Sequence, residues 1–275
     1  MAVSRAPLWR LLLERGLAAT ERQARALCLS GEVLLDGARA DKPGVAVPVG
    51  AAVALRRVRP YASRGGEKLA FALPRFGVAV AGRVALDCGA STGGFTDCLL
   101  QHGAARVYAV DAGFGQLLGR LHQDPRVIDL ERTNLSEVGA ATLAPPPTLV
   151  TLDLSYLPLA EAWAILAPWL PAGAEVLSLV KPLFEVEEGQ APGARRTGVI
   201  PGRAPYVEAL WRLRHACTTL GWSALGVAAS PVRGGAGTIE FFLHAALRPG
   251  AAFGRAAVEA AVDAALGTPG APGGV

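Results

Sequence analysis

Two short stretches place acids and glycines where ligand chemistry is done. The first, "LDCGASTGGF", sets Asp87 ahead of a turn carrying Gly89, Gly93 and Gly94. Glycines at such a turn let the backbone come close to a ligand. The turn lacks the Lys-Ser/Thr ending of a P-loop, and its spacing does not match GxGxxG. An acid at the end of the preceding strand is a poor neighbour for a pyrophosphate and a good one for a cationic ligand. S-adenosyl-L-methionine has an ammonium, a sulfonium and a neutral ribose but no phosphate, so it suits this turn. The second stretch, "VYAVDAG", ends in Asp111, about two dozen residues on. An acid there accepts hydrogen bonds from ribose hydroxyls. This acid–glycine–acid arrangement favours S-adenosylmethionine. A nicotinamide dinucleotide and a purely structural glycine turn remain as alternatives.

Alternating strands and helices must hold these residues. The pattern predicts strands at Val84–Asp87, Val107–Asp111, Leu149–Asp153 and Glu175–Lys181, with helices between them. "ALGVAASPVRGGAGTIEFFLHAAL" reads as a closing hairpin around a glycine-rich turn. Acids at strand ends in an alternating pattern imply an α/β fold, a Rossmann-like doubly wound sheet with the ligand at its carboxyl edge. Before it, residues 1–58 read as a separate small α+β unit. "PLWRLLLERGL" predicts a short amphipathic helix. "TERQARALCLSG" predicts a second helix with Thr20 and Gln23 as a capping box and Gly31 as its stop. Short strands follow in "EVLLDG" and "VAVPVGAAVAL". Residues 59–66, arginine- and glycine-rich, read as a linker. The main domain is expected over 67–248, and 249–275 as a helix with a disordered tail.

Composition narrows the function classes. Half of the 275 residues are hydrophobic and 18% are charged, which argues against a disordered chain. The net charge of +4 is uneven. Residues 1–68 carry 12 Lys and Arg against 6 Asp and Glu, a net of +6, which leaves −2 for the rest. A basic head on a near-neutral body suggests a polyanion-binding module. The four cysteines (Cys28, Cys88, Cys98, Cys217) form no CxxC pair, so neither a zinc site nor a disulfide framework is expected. The amino-terminal segment is too broken by charge for a signal peptide. The apolar run Leu159–Val180 is interrupted by Glu161, Pro168, Pro171 and Glu175, which excludes a membrane span there. A cytoplasmic protein with no metal and no membrane partner is expected, and nothing in the sequence speaks to oligomeric state.

Several segments resemble one family. "SRGGEKL", "GASTGGFTD", "AVDAGFGQL", "DPRVIDLERTN", "DLSYLPL", "LVKPLFE" and "GTIEFFL" are similar, in that order, to the TlyA family of ribosomal RNA 2′-O-methyltransferases, often labelled hemolysins. That resemblance implies an S4-like RNA-binding domain followed by an FtsJ/RrmJ-like methyltransferase domain, with S-adenosylmethionine as methyl donor and rRNA or ribosomal subunits as partner. The chain departs from the family pattern in its opening "RAPLWRLLLERGL" and in the loop after Phe184.

The resemblance also implies a Lys-Asp-Lys-Glu tetrad, matched here by Lys68, Asp153, Lys181 and Glu240. A ribose 2′-hydroxyl is a weak nucleophile, so the enzyme must align a displacement and accept a proton. An ordinary lysine, with a pKa of about 10.4, is protonated at neutral pH, and burial or a neighbouring cation is what makes an amine available as a base. Lys181 is the expected base or hydroxyl-orienting group. Lys68 and Glu240 are expected to place the ribose and Lys181, with Asp153 beside the methyl donor. The cofactor is expected at Asp87, Gly89, Ser91, Gly93, Gly94, Phe95 and Asp111, with Asn134 at the adenine or else capping the next helix. Arg5, Arg10, Arg15, Arg22, Arg25, Arg56, Arg57, Arg59 and Arg64 are the expected phosphate contacts. Competing readings are a methyltransferase of small molecules or proteins, a non-catalytic RNA-binding or ribosome-assembly factor, and a membrane-lytic protein.

Overall fold

The structure, a computed structural model, describes residues 4–29, 31–55 and 60–267. The chain divides into two compact units, 1–59 and 60–275.

The first unit contains β1 (Arg5–Pro7), α1 (Leu8–Glu14), α2 (Glu21–Leu29), β2 (Val33–Leu35), β3 (Ala38–Arg39), β4 (Ala46–Pro48) and β5 (Val53–Leu55). Strand β1 pairs with β4, and β2 sits between β3 and β5. Leu8, Leu11 and Leu12 of α1 recur at helical spacing and pack on Ala24 and Cys28 of α2, and on Val33 and Val47. The α2 start is capped as expected by Thr20, whose Oγ1 accepts from Gln23 N. The Gln23 side chain reaches one residue further back than a capping box requires, to the amide of Ala19.

The second unit runs α3 (Arg64–Phe76), β6 (Val84–Cys88), α4 (Gly94–Gln101), β7 (Arg106–Asp111), α5 (Gly119–His122), β8 (Val127–Glu131), β9 (Leu149–Leu152), α6 (Leu159–Leu166), β10 (Glu175–Val180), α7 (Pro182–Glu185), α8 (Ala194–Thr197), α9 (Ala204–Thr219), β11 (Ser223–Ala229), β12 (Phe241–Ala246) and α10 (Arg255–Gly267). Its seven strands are ordered β11-β12-β10-β9-β6-β7-β8. The five from β10 to β8 are parallel, and β12 runs antiparallel between β10 and β11. The expected doubly wound sheet and closing hairpin are both present. Strand β6 lies between β7 and β9, so chain order reverses at β6, and the crevice outside its carboxyl end is where such sheets bind ligands.

Three features differ from the sequence reading. Strand β8 was not expected. It is an edge strand whose residues after Val127 are half-buried or exposed, so "VIDLE" lacks the apolar run of its neighbours. Residues 64–66 are not linker but the first turn of α3. Ser63 caps that helix by accepting from Gly65 N, and Gly77, at φ 66°, ends it. The carboxy-terminal helix α10 is no appendage, because Val258, Ala261, Val262 and Ala265 are buried in the main core. Residues 268–275, expected to be disordered, lie outside the described residues.

Helices α3 and α4 cross at glycines. A Cβ on Gly94 would lie 2.2 Å from Ser63 Oγ and 3.0 Å from Gly66 N, and one on Gly66 would lie 2.8 Å from Gly94 O. Gly94→Ala is therefore expected to push α3 off α4 at a cost of about 1–3 kcal/mol. Lys68 lies on α3 just beyond the crossing, so activity should fall along with the urea midpoint. A variant with unchanged stability and activity would show that the crossing tolerates a Cβ.

Candidate active site

The glycine turn joins β6 to α4 at the reversal point. Gly89 (φ 85°) and Gly93 (φ 91°) both adopt left-handed backbone. A Cβ on Gly89 would lie 2.5 Å from the carbonyl oxygen of Asp153. Gly89 therefore lets β6 and β9 bring their carboxyl ends together. Ser91, also left-handed at φ 46°, donates its amide to Asp111 Oδ2 at 2.8 Å. The other Asp111 oxygen accepts from Gly113 N at 2.7 Å. Asp111 is half-buried at the end of β7, and it keeps acceptor capacity beyond these two amides. Glu131, at the end of β8, accepts from the amides of Gly115 and Gln116, which holds its carboxyl below the usual range. It fixes the loop after Asp111 and was not foreseen.

Three residues expected at the ligand are occupied elsewhere. Asp87 is fully buried; its carboxylate accepts from Thr96 Oγ1 at 2.7 Å and Thr151 Oγ1 at 2.9 Å. Burial pushes it up to about 6. It ties β6 to α4 and β9 from beneath the turn and presents no oxygen to a ligand cation. Phe95 is also buried, stacked against Phe242 with ring centroids 6.1 Å apart. It is a core residue. Gly94 serves the helix crossing. Asn134 stands at the N-cap position of the 3₁₀ turn Leu135–Glu137, where Glu137 Oε2 accepts from its backbone amide at 2.6 Å.

The turn "GASTG" carries no cation for a phosphate, and its exposed residue Ser91 lies beside a carboxylate with spare acceptor capacity. These residues fit S-adenosylmethionine through Asp111, Ser91 and the backbone of Gly89, whereas Gly93, expected at the ligand, is buried against Leu117 and Leu121 and shapes the turn.

All four residues of the predicted tetrad line one cleft of about 330 Å³ at the same sheet edge. Asp153 follows β9 and Lys181 follows β10. Glu240 precedes β12, whose antiparallel course brings its start to that edge, opposite Val180. Lys68 comes from α3. They form two ion pairs. Lys68 Nζ meets Glu240 Oε2 at 2.5 Å, with side-chain exposures of only 9% and 5%. Lys181 Nζ meets Asp153 Oδ1 at 2.7 Å, with 18% and 24% exposed. Burial pushes the Glu240 carboxyl up, and the Lys68 ammonium opposes it. Gly234, in the glycine-rich turn, makes room for this carboxylate, since a Cβ there would lie 2.2 Å from Glu240 Oε1.

This pairing differs from the expected one. Lys68 and Glu240 engage each other and do not hold Lys181. Lys181 is held by Asp153 and by Ser155, whose Oγ accepts from Nζ at 2.8 Å. Ser155 was missed; two residues past Asp153 in a polar turn, it carries no sequence signal of its own. A second, smaller cleft of about 170 Å³ shares Ser155, Lys181 and Phe184 with the first.

The expected RNA-contacting arginines divide. Arg15 donates to the carbonyls of Ala51 and Val49, both at 2.7 Å, and so serves the fold. Arg5 donates to Ala46 O. Arg10 and Arg25 pair with Glu14 and Glu21 one turn away, and Arg25 also lies over the Trp9 ring. Such exposed pairs are weak, about 0.3–0.5 kcal/mol, and leave both arginines available to a phosphate. Arg22 and Arg64 are exposed. Arg56, Arg57 and Arg59 lie outside the described residues. All four cysteines are buried and unpaired. Among the described residues there is no His/Cys/Asp/Glu cluster of metal-binding type and no helix long and apolar enough to cross a membrane.

Comparison with known proteins agrees with this geometry. Residues 61–247 match the FtsJ-like methyltransferase family, and residues 7–53 match the S4 domain. The chain is 41% identical, over 93% of its length and 95% of the relative's, to the 16S/23S rRNA (cytidine-2′-O)-methyltransferase TlyA of Mycobacterium tuberculosis. It is 30% identical to Hemolysin A of Brachyspira hyodysenteriae, over 83% of this chain and 95% of that protein. A solved structure described as a hemolysin from Streptococcus thermophilus superposes with a TM-score of 0.73 at 33% identity, covering 97% of both chains. With a reversal-point glycine turn, an edge cleft holding two lysine–carboxylate pairs and a basic unit ahead of them, this chain belongs to the FtsJ-like methyltransferases, in the S4-bearing TlyA family.

Proposed function

We propose that this protein transfers the methyl group of S-adenosylmethionine to the 2′-hydroxyl of a cytidine ribose in ribosomal RNA of the small subunit, the large subunit or both. The observation that carries the reading is the convergence of Lys68, Asp153, Lys181 and Glu240 on one cleft beside the glycine turn. S-adenosylmethionine supplies a methyl already activated on a sulfonium, so the protein's task is alignment and proton removal. Lys181 orients the 2′-hydroxyl and, in its amine form, takes the proton that the oxygen releases as it bonds the methyl group. Asp153 holds Lys181 from the side of the turn. The Lys68–Glu240 pair forms a rigid wall against which the ribose seats. Asp111 takes the ribose hydroxyls of the methyl donor, Ser91 and Gly89 line its path, and Asn134 reaches the adenine from its cap position. Arg10, Arg22, Arg25, Arg56, Arg57, Arg59 and Arg64 contact phosphates, giving affinity with steep salt dependence more than sequence choice. Work on ribosomal RNA puts the protein in the cytoplasm.

The test is tritiated S-adenosylmethionine with unmodified small and large subunits, followed by digestion to nucleosides. Label in 2′-O-methylcytidine is the expected result, and the labelled subunit names the substrate. Cofactor binding without any labelled 2′-O-methylnucleoside would overturn the reading and favour a ribosome-assembly factor.

A further inference from the structure

Lys181 has two acceptors, not one. Asp153 Oδ1 lies 2.7 Å and Ser155 Oγ 2.8 Å from its Nζ. The lysine nitrogen is tetrahedral, with its carbon stem at one position and three positions left for hydrogen bonding. A carboxylate only accepts, and the serine hydroxyl is placed to accept as well. With two N–H bonds so directed, the third position is left for the cleft. A single acceptor would let the flexible lysine stem turn the amine about its one N–H···O axis, and the position facing the substrate would change with it. Asp153 is bonded through its backbone to Cys88 O, against the glycine turn, and cannot follow such a rotation. Ser155 is the only described side chain besides Asp153 that bonds Lys181 Nζ, and it lines both clefts at this edge.

We propose that Ser155 is a positioning residue for methyl transfer: with Asp153 it fixes the Lys181 nitrogen so that its remaining tetrahedral position faces the acceptor 2′-hydroxyl. This rests on the 2′-O-methyltransferase reading and adds to it a residue outside the Lys-Asp-Lys-Glu set. Ser155 exchanges no proton with the substrate. Its effect passes through Lys181, so it acts on the rate of the chemical step and not on binding.

The test compares Ser155→Ala and Ser155→Thr with the wild-type protein on the ribosomal subunit that the wild type labels. Threonine keeps a hydroxyl on the same carbon; alanine removes it. Misdirecting a reacting group by about an ångström can cost about a hundredfold, so Ser155→Ala should lower kcat by roughly 10- to 100-fold. Its KM for the subunit and its Kd for S-adenosylmethionine should stay nearly unchanged, and Ser155→Thr should restore most of the rate. Three results would overturn the assignment: wild-type kcat in the alanine variant, a rise in KM with kcat unchanged (a serine that contacts RNA), or a threonine variant as slow as alanine despite an unchanged melting temperature. An inactive wild type would instead overturn the methyltransferase reading beneath it.

Discussion

Lys181→Met is expected to lower the single-turnover rate of methyl transfer by roughly 10³-fold while leaving S-adenosylmethionine affinity nearly intact. The size follows from the role. A positioned proton acceptor contributes about 10²- to 10⁴-fold, and methionine keeps the apolar stem while removing the amine. The selectivity follows from the architecture. Lys181 stands at the end of β10, whereas the residues that fit the cofactor lie at the ends of β6 and β7. The variant also leaves Asp153 without its partner. That carboxylate is 24% exposed, so water can replace the ammonium, and the lost pair should cost only about 1 kcal/mol. Stopped-flow or quench measurement of methyl transfer, with calorimetric titration of the cofactor, separates the two effects. An active variant would remove Lys181 from the chemistry. A variant that binds no cofactor would place Lys181 in the cofactor site.

The sequence conveyed the frame of this site better than its wiring. Strand ends were legible because apolar runs stop abruptly at a charged residue, as at Asp111, Asp153 and Lys181. The resemblance then selected four residues that the fold brings to one cleft. What it could not convey was which partner each polar atom takes. Asp87 reads like a ligand-facing acid until Thr151, 64 residues away, is found on its carboxylate. Phe95 reads as part of the turn until Phe242 is found stacked on it. Arg15 reads as a phosphate contact until the carbonyls of Val49 and Ala51 take its guanidinium. In each case a long-range contact consumes the group, and such contacts leave no local pattern. Strand β8 fails for the opposite reason. As an edge strand it buries little, so the hydrophobic signal that marks its neighbours is weak. Ser155 is small and polar in a turn, and only its distance to Lys181 distinguishes it.

The second ion pair should respond differently when broken, because it is buried. Lys68→Ala is expected to destabilise the second unit by about 3–5 kcal/mol at neutral pH, since it strands the Glu240 carboxylate, only 5% exposed, without a counter-charge. The pH dependence follows from the direction of the Glu240 shift. Burial already raises this carboxyl above its ordinary 4.5, and Lys68 is the largest influence holding it down. An acid with a raised folded-state pKa keeps its proton in the folded chain after the unfolded chain has released it. Stability therefore falls as pH rises from about 4.5 until the folded carboxyl also ionises. Without Lys68 the folded value rises further and that window widens. The stability deficit of Lys68→Ala should thus be small near pH 5 and grow toward pH 8, as read from urea unfolding across that range. A pH-independent deficit would mean that the loss is packing alone, with Glu240 already hydrated. The double variant Lys68→Met/Glu240→Leu replaces the pair with apolar groups and should recover most of the stability, because burying two charges together gains little over burying none. It should not recover methyl transfer. Recovered stability without recovered methyl transfer would assign the pair, which lines the same cleft as Lys181, to the substrate and not to folding.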